Sequence, residues 1–491
     1  MTLMRNHKKF EKPKAGLLLI ATSRFKNMGE GLRQGSYHER KEKEAGDIIS
    51  SLSTSIDIVN PGIIYTRQDL AGAIKLFLSE SPDFIIAEFL SWAEDFTWIR
   101  FLRDYSDVPV IFVNTVKDRV NFETTVDEND FVEFLSRGTL VGSLEASRSI
   151  AKIGNGRVKI VVGNREQVNN EIIIFSKAAR VKSILKNATF GMLSGYNELM
   201  WATYLDPYDF FTKIGPEIRF LSYATLVDEI SRVEEEEVIA WKNELKKNYK
   251  IDEGVDDIKF QESIRASIAL AKMVDTIGLD AMVLNDTNKT LFELIGLRPG
   301  FYHSLFEKNL SVMVPEGDLG GGLITFILKM ISGKRVNFIE PFHIEAANNT
   351  FAAGHAGPND YTDPAHSENV MIANDVRFAK TDYKYAGAPF AWYRFPAGLM
   401  TMAQFTESQG GYKIIATLVE CIDNGKHLFA SYSHGIFTSE MRVTELFEKI
   451  LKIGTTQHFA LVKGDYLKEL SCFAGIMGFE YFEIGHKNIT A

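Results

Sequence analysis

Four residues carry the chemistry this chain offers most plainly: the carboxylates Glu316 and Glu340 and the imidazoles His355 and His458. Together they make a mixed oxygen and nitrogen donor set with no thiolate, which suits Mn²⁺ or a related divalent ion such as Co²⁺ or Mg²⁺ better than structural zinc. A set of this kind leaves coordination positions open to a substrate, as catalytic metal sites do. Of the ten histidines, eight lie at or beyond residue 303: His303, His343, His355, His366, His427, His434, His458 and His486. Imidazoles concentrated in one region can serve as ligands or proton carriers, although surface and capping roles account for any one of them alone.

Each candidate has a local reading. Glu316 follows the strand-like LSVMV and precedes GDLGGG and a helix, so it falls at the carboxyl end of a strand, where α/β domains bind ligands. A helix-start glutamate favoured by the dipole has an equal claim. GDLGGG is neither a dinucleotide fingerprint nor a phosphate loop, and it is expected to let backbone pass close to a ligand. Glu340 ends RVNFIE, where alternation puts it on the face of Phe338 and Val336, pointing inward, and an inward carboxylate needs a partner or a metal. Pro341 favours extended backbone there. His355 sits among small residues in AAGHAGP, and His458 opens an apolar strand in GTTQHFALV. His434, in SYSHGIF, is a reserve candidate for the pocket, whereas Glu345 reads as an exposed strand residue.

The elements that must position these residues divide the chain in three. Over residues 1–180, GLLLIA, SIDIVNP, DFIIAEFL, VPVIFVN and RVKIVVGN alternate with helix-like segments, the pattern of a parallel sheet covered on both faces. Over 181–334 a second α/β unit runs through ATFGMLS, IRFLSY, GLDAMVLN and LSVMVPEGD to the helical GGLITFILKMIS, and it carries Glu316. Its charged stretches RVEEEEV and WKNELKKNYKIDEGVDD read as solvated helix faces. From 335 to 491 the texture becomes antiparallel and barrel-like and carries Glu340, His355 and His458. The expected fold is two doubly wound, Rossmann-like α/β domains followed by a mainly antiparallel β domain.

Composition narrows the partners. At 491 residues the chain is too long for one hydrophobic core. A net charge of −9 does not offer the basic surface that nucleic acid requires. The two cysteines, Cys421 and Cys472, form no CxxC pair, which excludes a disulfide framework and a thiolate zinc site. The apolar run after the basic N-terminus is short and ends in charged SRFKN without a small-residue cleavage site, so it reads as a first buried strand. No run approaches the ~18 apolar residues of a membrane span. A cytoplasmic protein with no membrane or nucleic-acid partner is expected.

The order EGD at 316–318, FIE at 338–340, GHAG at 354–357 and QHFALVKGD at 457–465 resembles the L-arabinose/L-fucose isomerase superfamily, closest in layout to L-arabinose isomerases. The likeness is strongest over 310–480. It implies a cofactor-independent aldose–ketose isomerase that uses Mn²⁺ and assembles as trimers or hexamers. By motif, the metal ligands would be Glu316, Glu340, His355 and His458, with both glutamates also acting as acid and base. Met200, in YNELMWA, would line the sugar pocket, where hydrophobic core is an equal reading. Moving a carbonyl between C1 and C2 needs a carboxylate on each face of a cis-enediol, which fits two glutamates and no organic cofactor.

Two segments depart from the family pattern. The loop after the first strand reads ATSRFKNMGEG and puts Arg24 where these isomerases carry a sugar-binding glutamine, and FVNTVKD replaces a histidine-bearing segment. Arg24 reads first as a solvent-facing loop arginine, and second as a partner for a uronate or sulfonated sugar. A sugar epimerase or lyase, or a non-catalytic sugar-binding protein on the same scaffold, stands as an alternative.

Overall fold

A computed structural model describes residues 7–117, 127–154, 156–422, 425–427 and 433–485. His486, the last of the histidines above, lies outside them. The chain forms two compact units: the first is Phe10–Ser183 with Ser471–Gly478, and the second is Met1–Lys9, Ile184–Leu470 and Phe479–Ala491. The blocks 181–334 and 335–491 thus fall mostly in one unit, and a short C-terminal stretch belongs to the other.

In the first unit a parallel sheet joins β1 (Lys14–Ile20), β2 (Asp57–Val59), β3 (Ile63–Ile64), β4 (Phe84–Phe89), β5 (Val110–Thr115) and β6 (Val158–Gly163). The order is β2-β1-β4-β5-β6, with β3 pairing the carboxyl end of β1. The continuous apolar runs have a simple cause. Leu17 and Leu19 enter one core while Leu18 and Ile20 enter another on the opposite face, so no strand position can be polar without cost.

The second unit contains β7 (Thr189–Leu193), β8 (Glu217–Leu221), β9 (Lys250–Ile251), β10 (Ala281–Leu284) and β11 (Val312–Val314). Strands β11-β10-β7-β8 form a second parallel sheet. Here β7 is followed by β8 on one side and, later, by β10 on the other. The strand order therefore reverses between β7 and β10.

The rest of that unit is β12 (Val336–Glu345), β13 (Thr350–His355), β14 (Val370–Asn374), β15 (Pro389–Tyr393), β16 (Gly398–Ser408), β17 (Gly411–Ile422), β18 (Ser433–Thr438), β19 (Phe459–Lys463) and β20 (Glu480–Ile484). Six of these close into an antiparallel barrel in the ring order β16-β19-β12-β13-β18-β17, completed by β17 pairing β16. Strand β20 adds to β17 in parallel, and β15-β14-β9 form a small separate sheet. Ile339, Phe351, Phe437, Val419, Met402 and Leu461 fill the barrel core, and helix Val443–Ile453 adds Val443, Leu446 and Ile450.

Helix Leu319–Ser332 lies between the second parallel sheet and the outside of the barrel and is buried almost throughout. Its three glycines make that passage possible. A Cβ on Gly321 would stand 2.5 Å from the Phe338 ring, on Gly320 2.9 Å from Phe405 O, and on Gly322 2.9 Å from Val283 Cγ2. GDLGGG thus admits barrel strands and sheet to the helix backbone. No helix among the described residues is long and apolar enough to cross a membrane.

Candidate metal centre

The structure brings three of the four predicted ligands together. Among the described residues, Glu316, His355 and His458 form the one group of three or more acidic, histidine or cysteine side chains whose ligand atoms lie within 4.8 Å of one another, and all three are buried. His458 Nε2 is 3.2 Å and His355 Nε2 3.6 Å from Glu316 Oε2. None of these three atoms has a hydrogen-bond partner, although each is shielded from solvent. Buried polar atoms left unpaired cost about 1–3 kcal/mol each. Three buried ligand atoms converging on one point, with no polar contacts beyond those to one another, therefore fit a shared cation better than they fit a closed core.

Each ligand is held from behind. Glu316 follows β11 and its backbone is left-handed, with φ 63°, as is that of Gly317 with φ 70°. The double turn is fixed by the Glu316 N–H donating to Asp286 Oδ1 at 2.8 Å and the Gly317 N–H donating to Leu284 O at 3.2 Å. Gly317 is required there, since a Cβ would stand 2.9 Å from Asn197 N. A non-glycine residue at positive φ costs about 1–2 kcal/mol, and such strain concentrates at functional sites.

His458 directs Nδ1 to Asp318 Oδ2 at 2.8 Å, which leaves Nε2 to face Glu316. Asp318 also caps helix Leu319–Ser332 by accepting from the Gly321 N–H at 2.8 Å. His355 Nδ1 is 2.5 Å from Ala356 O, which likewise leaves its Nε2 free. A carboxylate or carbonyl behind the imidazole is the usual support of a metal-bound histidine. Phe338 packs against both rings, with centroids 5.0 Å from His355 and 4.6 Å from His458.

A buried ion pair ties the two halves of the site. Arg298 Nε donates to Asp286 Oδ2 at 2.6 Å, and its Nη2 donates to Ala356 O at 2.9 Å. One guanidinium thus braces the carboxylate that anchors Glu316 and the carbonyl that orients His355. Gly357, at φ 99°, leaves it room, since a Cβ there would lie 3.0 Å from Arg298 Nη2.

The electrostatics follow. Burial works against ionised Glu316, yet the two imidazoles outweigh it and hold the carboxyl far below its ordinary range. Burial also works against protonated His458, but Asp318 and Glu316 reverse this and push it up to about 9. Without a cation, the cluster balances its charge by holding a proton.

The other predicted residues fall differently. Glu340 is half-buried on β12 opposite Gly354, one position before His355, and its carboxylate is not part of the three-residue group. Alternation does place it on the Phe338 face, but that face is turned to helix Leu319–Ser332, while Ile339 enters the barrel core. Met200 Sδ accepts from Gln457 Nε2 at 3.3 Å, so the methionine stands beside the residue preceding His458. His434 is buried on β18 opposite Gly354, with its ring 6.0 Å from that of His427. Arg24 belongs to the first unit, where it is exposed, 3.3 Å from Glu94 and 5.5 Å above the Trp92 ring. His303 caps helix Ser304–Lys308, and His343 and Glu345 are exposed.

Sequence reasoning passes over Asp286, Arg298 and Phe338. The rule that selects Glu316, a polar residue just past a strand's carboxyl end, selects Asp286 equally well after GLDAMVLN. Arg298 has no such signal.

No family model and no curated protein sequence matches the chain. A periplasmic solute-binding protein of an ABC transporter from Actinobacillus succinogenes 130z, with bound D-allose, aligns with 66% of this chain and 93% of its own at 12% identity and a TM-score of 0.16. A periplasmic sugar-binding protein of an ABC sugar transporter from Legionella pneumophila aligns with 66% of this chain and 97% of its own at 12% identity and a TM-score of 0.15. Likeness at this level carries no argument about ligand or activity.

Proposed function

We propose that this protein is a cytoplasmic, metal-dependent aldose–ketose isomerase of the arabinose/fucose isomerase type. The observation that carries the reading is the convergence of Glu316 Oε2, His355 Nε2 and His458 Nε2, three buried ligand atoms, just past the carboxyl end of β11 in a parallel sheet. Glu316, His355 and His458 would hold a divalent cation, Mn²⁺ or else Co²⁺ or Mg²⁺, and no organic cofactor is needed. Such a cation would polarise the carbonyl and hydroxyl oxygens of a bound sugar.

The remaining work belongs to the chain. The two imidazoles keep Glu316 ionised, the form in which it would ligate the cation, and in this reading it forms the acid/base pair with Glu340. Glu340, carried beside Gly354 but outside the three-residue group, would be the second carboxylate, returning a proton to the neighbouring carbon. Asp318 keeps His458 in one tautomer, and Phe338 together with the buried His355 excludes water from the reacting carbons. Met200 and His434 line the sugar's side of the pocket.

In the same reading the two parallel sheets are doubly wound, Rossmann-like layers, and the protein is a homo-oligomer, a trimer or hexamer. Strongly exposed Leu199, Trp201, Tyr208 and Phe211 in the second unit support association. The test is to strip the protein with a chelator, restore Mn²⁺, Co²⁺ or Mg²⁺, and screen aldoses and ketoses, uronates included. Metal-dependent ketose formation is expected. Sugar binding without turnover, with or without metal, would leave a binding protein instead.

A further inference from the structure

A reactive pair lies in the first unit, apart from the metal-type cluster. Cys472 is on helix Leu467–Met477, within Ser471–Gly478, the C-terminal stretch that belongs to that unit. Its Sγ lies 3.2 Å from Lys159 Nζ on β6, and Glu171 Oε2 is 2.7 Å from the same nitrogen. Residues 313 positions apart thus meet, nucleophile against nucleophile, with a carboxylate on the nitrogen. The site is reachable: the Lys159 and Glu171 side chains are 30% and 26% exposed, and Cys472 is half-buried.

We infer that Lys159 and Cys472 form a covalent sulfur–nitrogen cross-link when the protein meets a peroxide.

The thiolate is the species that oxidises, and a neighbouring ammonium favours it. Cys472 Sγ attacks one peroxide oxygen: the S–O bond forms, the O–O bond breaks, sulfur gives up two electrons, and the departing hydroxide takes a proton from the Lys159 ammonium to leave as water, with the sulfenic acid now beside a neutral amine. Lys159 Nζ passes a proton to Glu171 and attacks the sulfenic sulfur from its contact position. The N–S bond forms and the S–O bond breaks. The departing hydroxyl takes the proton held by Glu171 and leaves as a second water. In sum, one thiol, one amine and one peroxide give a sulfenamide and two waters, and the protein becomes lighter by two hydrogens. Because the nitrogen is already within 3.2 Å, it intercepts the sulfenic acid before further oxidation. The bond fastens the C-terminal helix to the edge strand of the parallel sheet and closes a very long loop, so it restricts the unfolded chain as a disulfide would.

The experiment treats the full-length protein with one equivalent of hydrogen peroxide, digests it without reductant and reads the peptides by mass spectrometry. A linked pair containing Lys159 and Cys472, two hydrogens lighter than its parts and released by dithiothreitol, is expected. Cys421, buried in the barrel core, should stay a thiol. The product should vanish in Cys472→Ser and in Lys159→Arg, which keeps the charge beside Glu171, and it should form several-fold more slowly in Glu171→Gln. Cys472 found unreacted, or as sulfinic or sulfonic acid with Lys159 unmodified, would overturn the inference. A linked pair retaining an added oxygen would overturn it too, since direct attack of nitrogen on sulfur leaves none. Wild-type protein alone decides these outcomes.

Discussion

Replacing Arg298 by methionine should cost the protein both stability and metal affinity, and the two losses should separate. Arg298 and Asp286 are buried at 3% and 0% exposure and 2.6 Å apart. Removing one member of a buried ion pair strands the other and costs about 3–5 kcal/mol, a large part of the roughly 5–15 kcal/mol that holds a typical domain together. The same change frees Ala356 O and Asp286, the groups that fix His355 Nδ1 and the Glu316 backbone. Loss of partners behind metal ligands lowers affinity by about 10–100-fold. Denaturant midpoints and Mn²⁺ titration against a chelating dye measure the two quantities. In the double variant Arg298→Met with Asp286→Asn the charge at Asp286 is no longer stranded, and only the more weakly coupled Asp375 is, so part of the stability should return while the affinity stays low. If Arg298→Met loses stability but binds Mn²⁺ as tightly as wild type, the guanidinium does not hold the site. If wild type itself binds no Mn²⁺, the metal reading fails first.

Glu316→Gln and Glu340→Gln should each abolish turnover in folded protein, checked by ketose formation beside circular dichroism; near-normal activity in either would undo its acid/base role. His355→Ala and His458→Ala should weaken metal binding before anything else, visible in the same dye titration. Asp318→Asn should cut Mn²⁺ affinity about 10–100-fold, because an amide can donate to His458 Nδ1 and so turn the ring's remaining proton toward the metal side. The proton on His458 gives a pH signature. Its folded pKa, about 9, exceeds the ordinary 6.5, so its stabilisation of metal-free protein is fully present below 6.5 and lost as pH rises through 9, on the order of 3 kcal/mol. Glu316 reports the same contact from the acid side, and the two shifts do not add. Cation binding must expel that proton, so Mn²⁺ affinity should climb between pH 6.5 and 9, and calorimetry in buffers of differing ionisation enthalpy should detect proton release. Flat affinity across this window would place the ion elsewhere.

The central strands of the first unit are legible because they are buried on both faces; DFIIAEFL and VPVIFVN have no other way to be buried. The same holds for β7, β10 and β11 of the second parallel sheet. The barrel is legible in texture, whereas its closure depends on the pairing of β16 with β17 across long partners, which no single strand announces. For the site, Glu316, His355 and His458 follow from strand ends and flanking glycines. Glu340 shows where alternation stops helping: it fixes the face shared with Phe338 but not what covers that face. Arg298 and Asp286 act through backbone groups, and nothing in their neighbours' sequence marks such contacts.

Strand β12 runs between β13 and β19, so the two histidines reach Glu316 from either side of the strand that carries Phe338. In a closed ring no member can slip alone. One residue inserted between Val336 and Phe338 would swing the aromatic ring into the barrel lumen, remove the wall both imidazoles lean on, and force the error on to five other strands. The spacing of the two nitrogens is therefore set by the whole hoop, and drift in the outer loops leaves it unchanged.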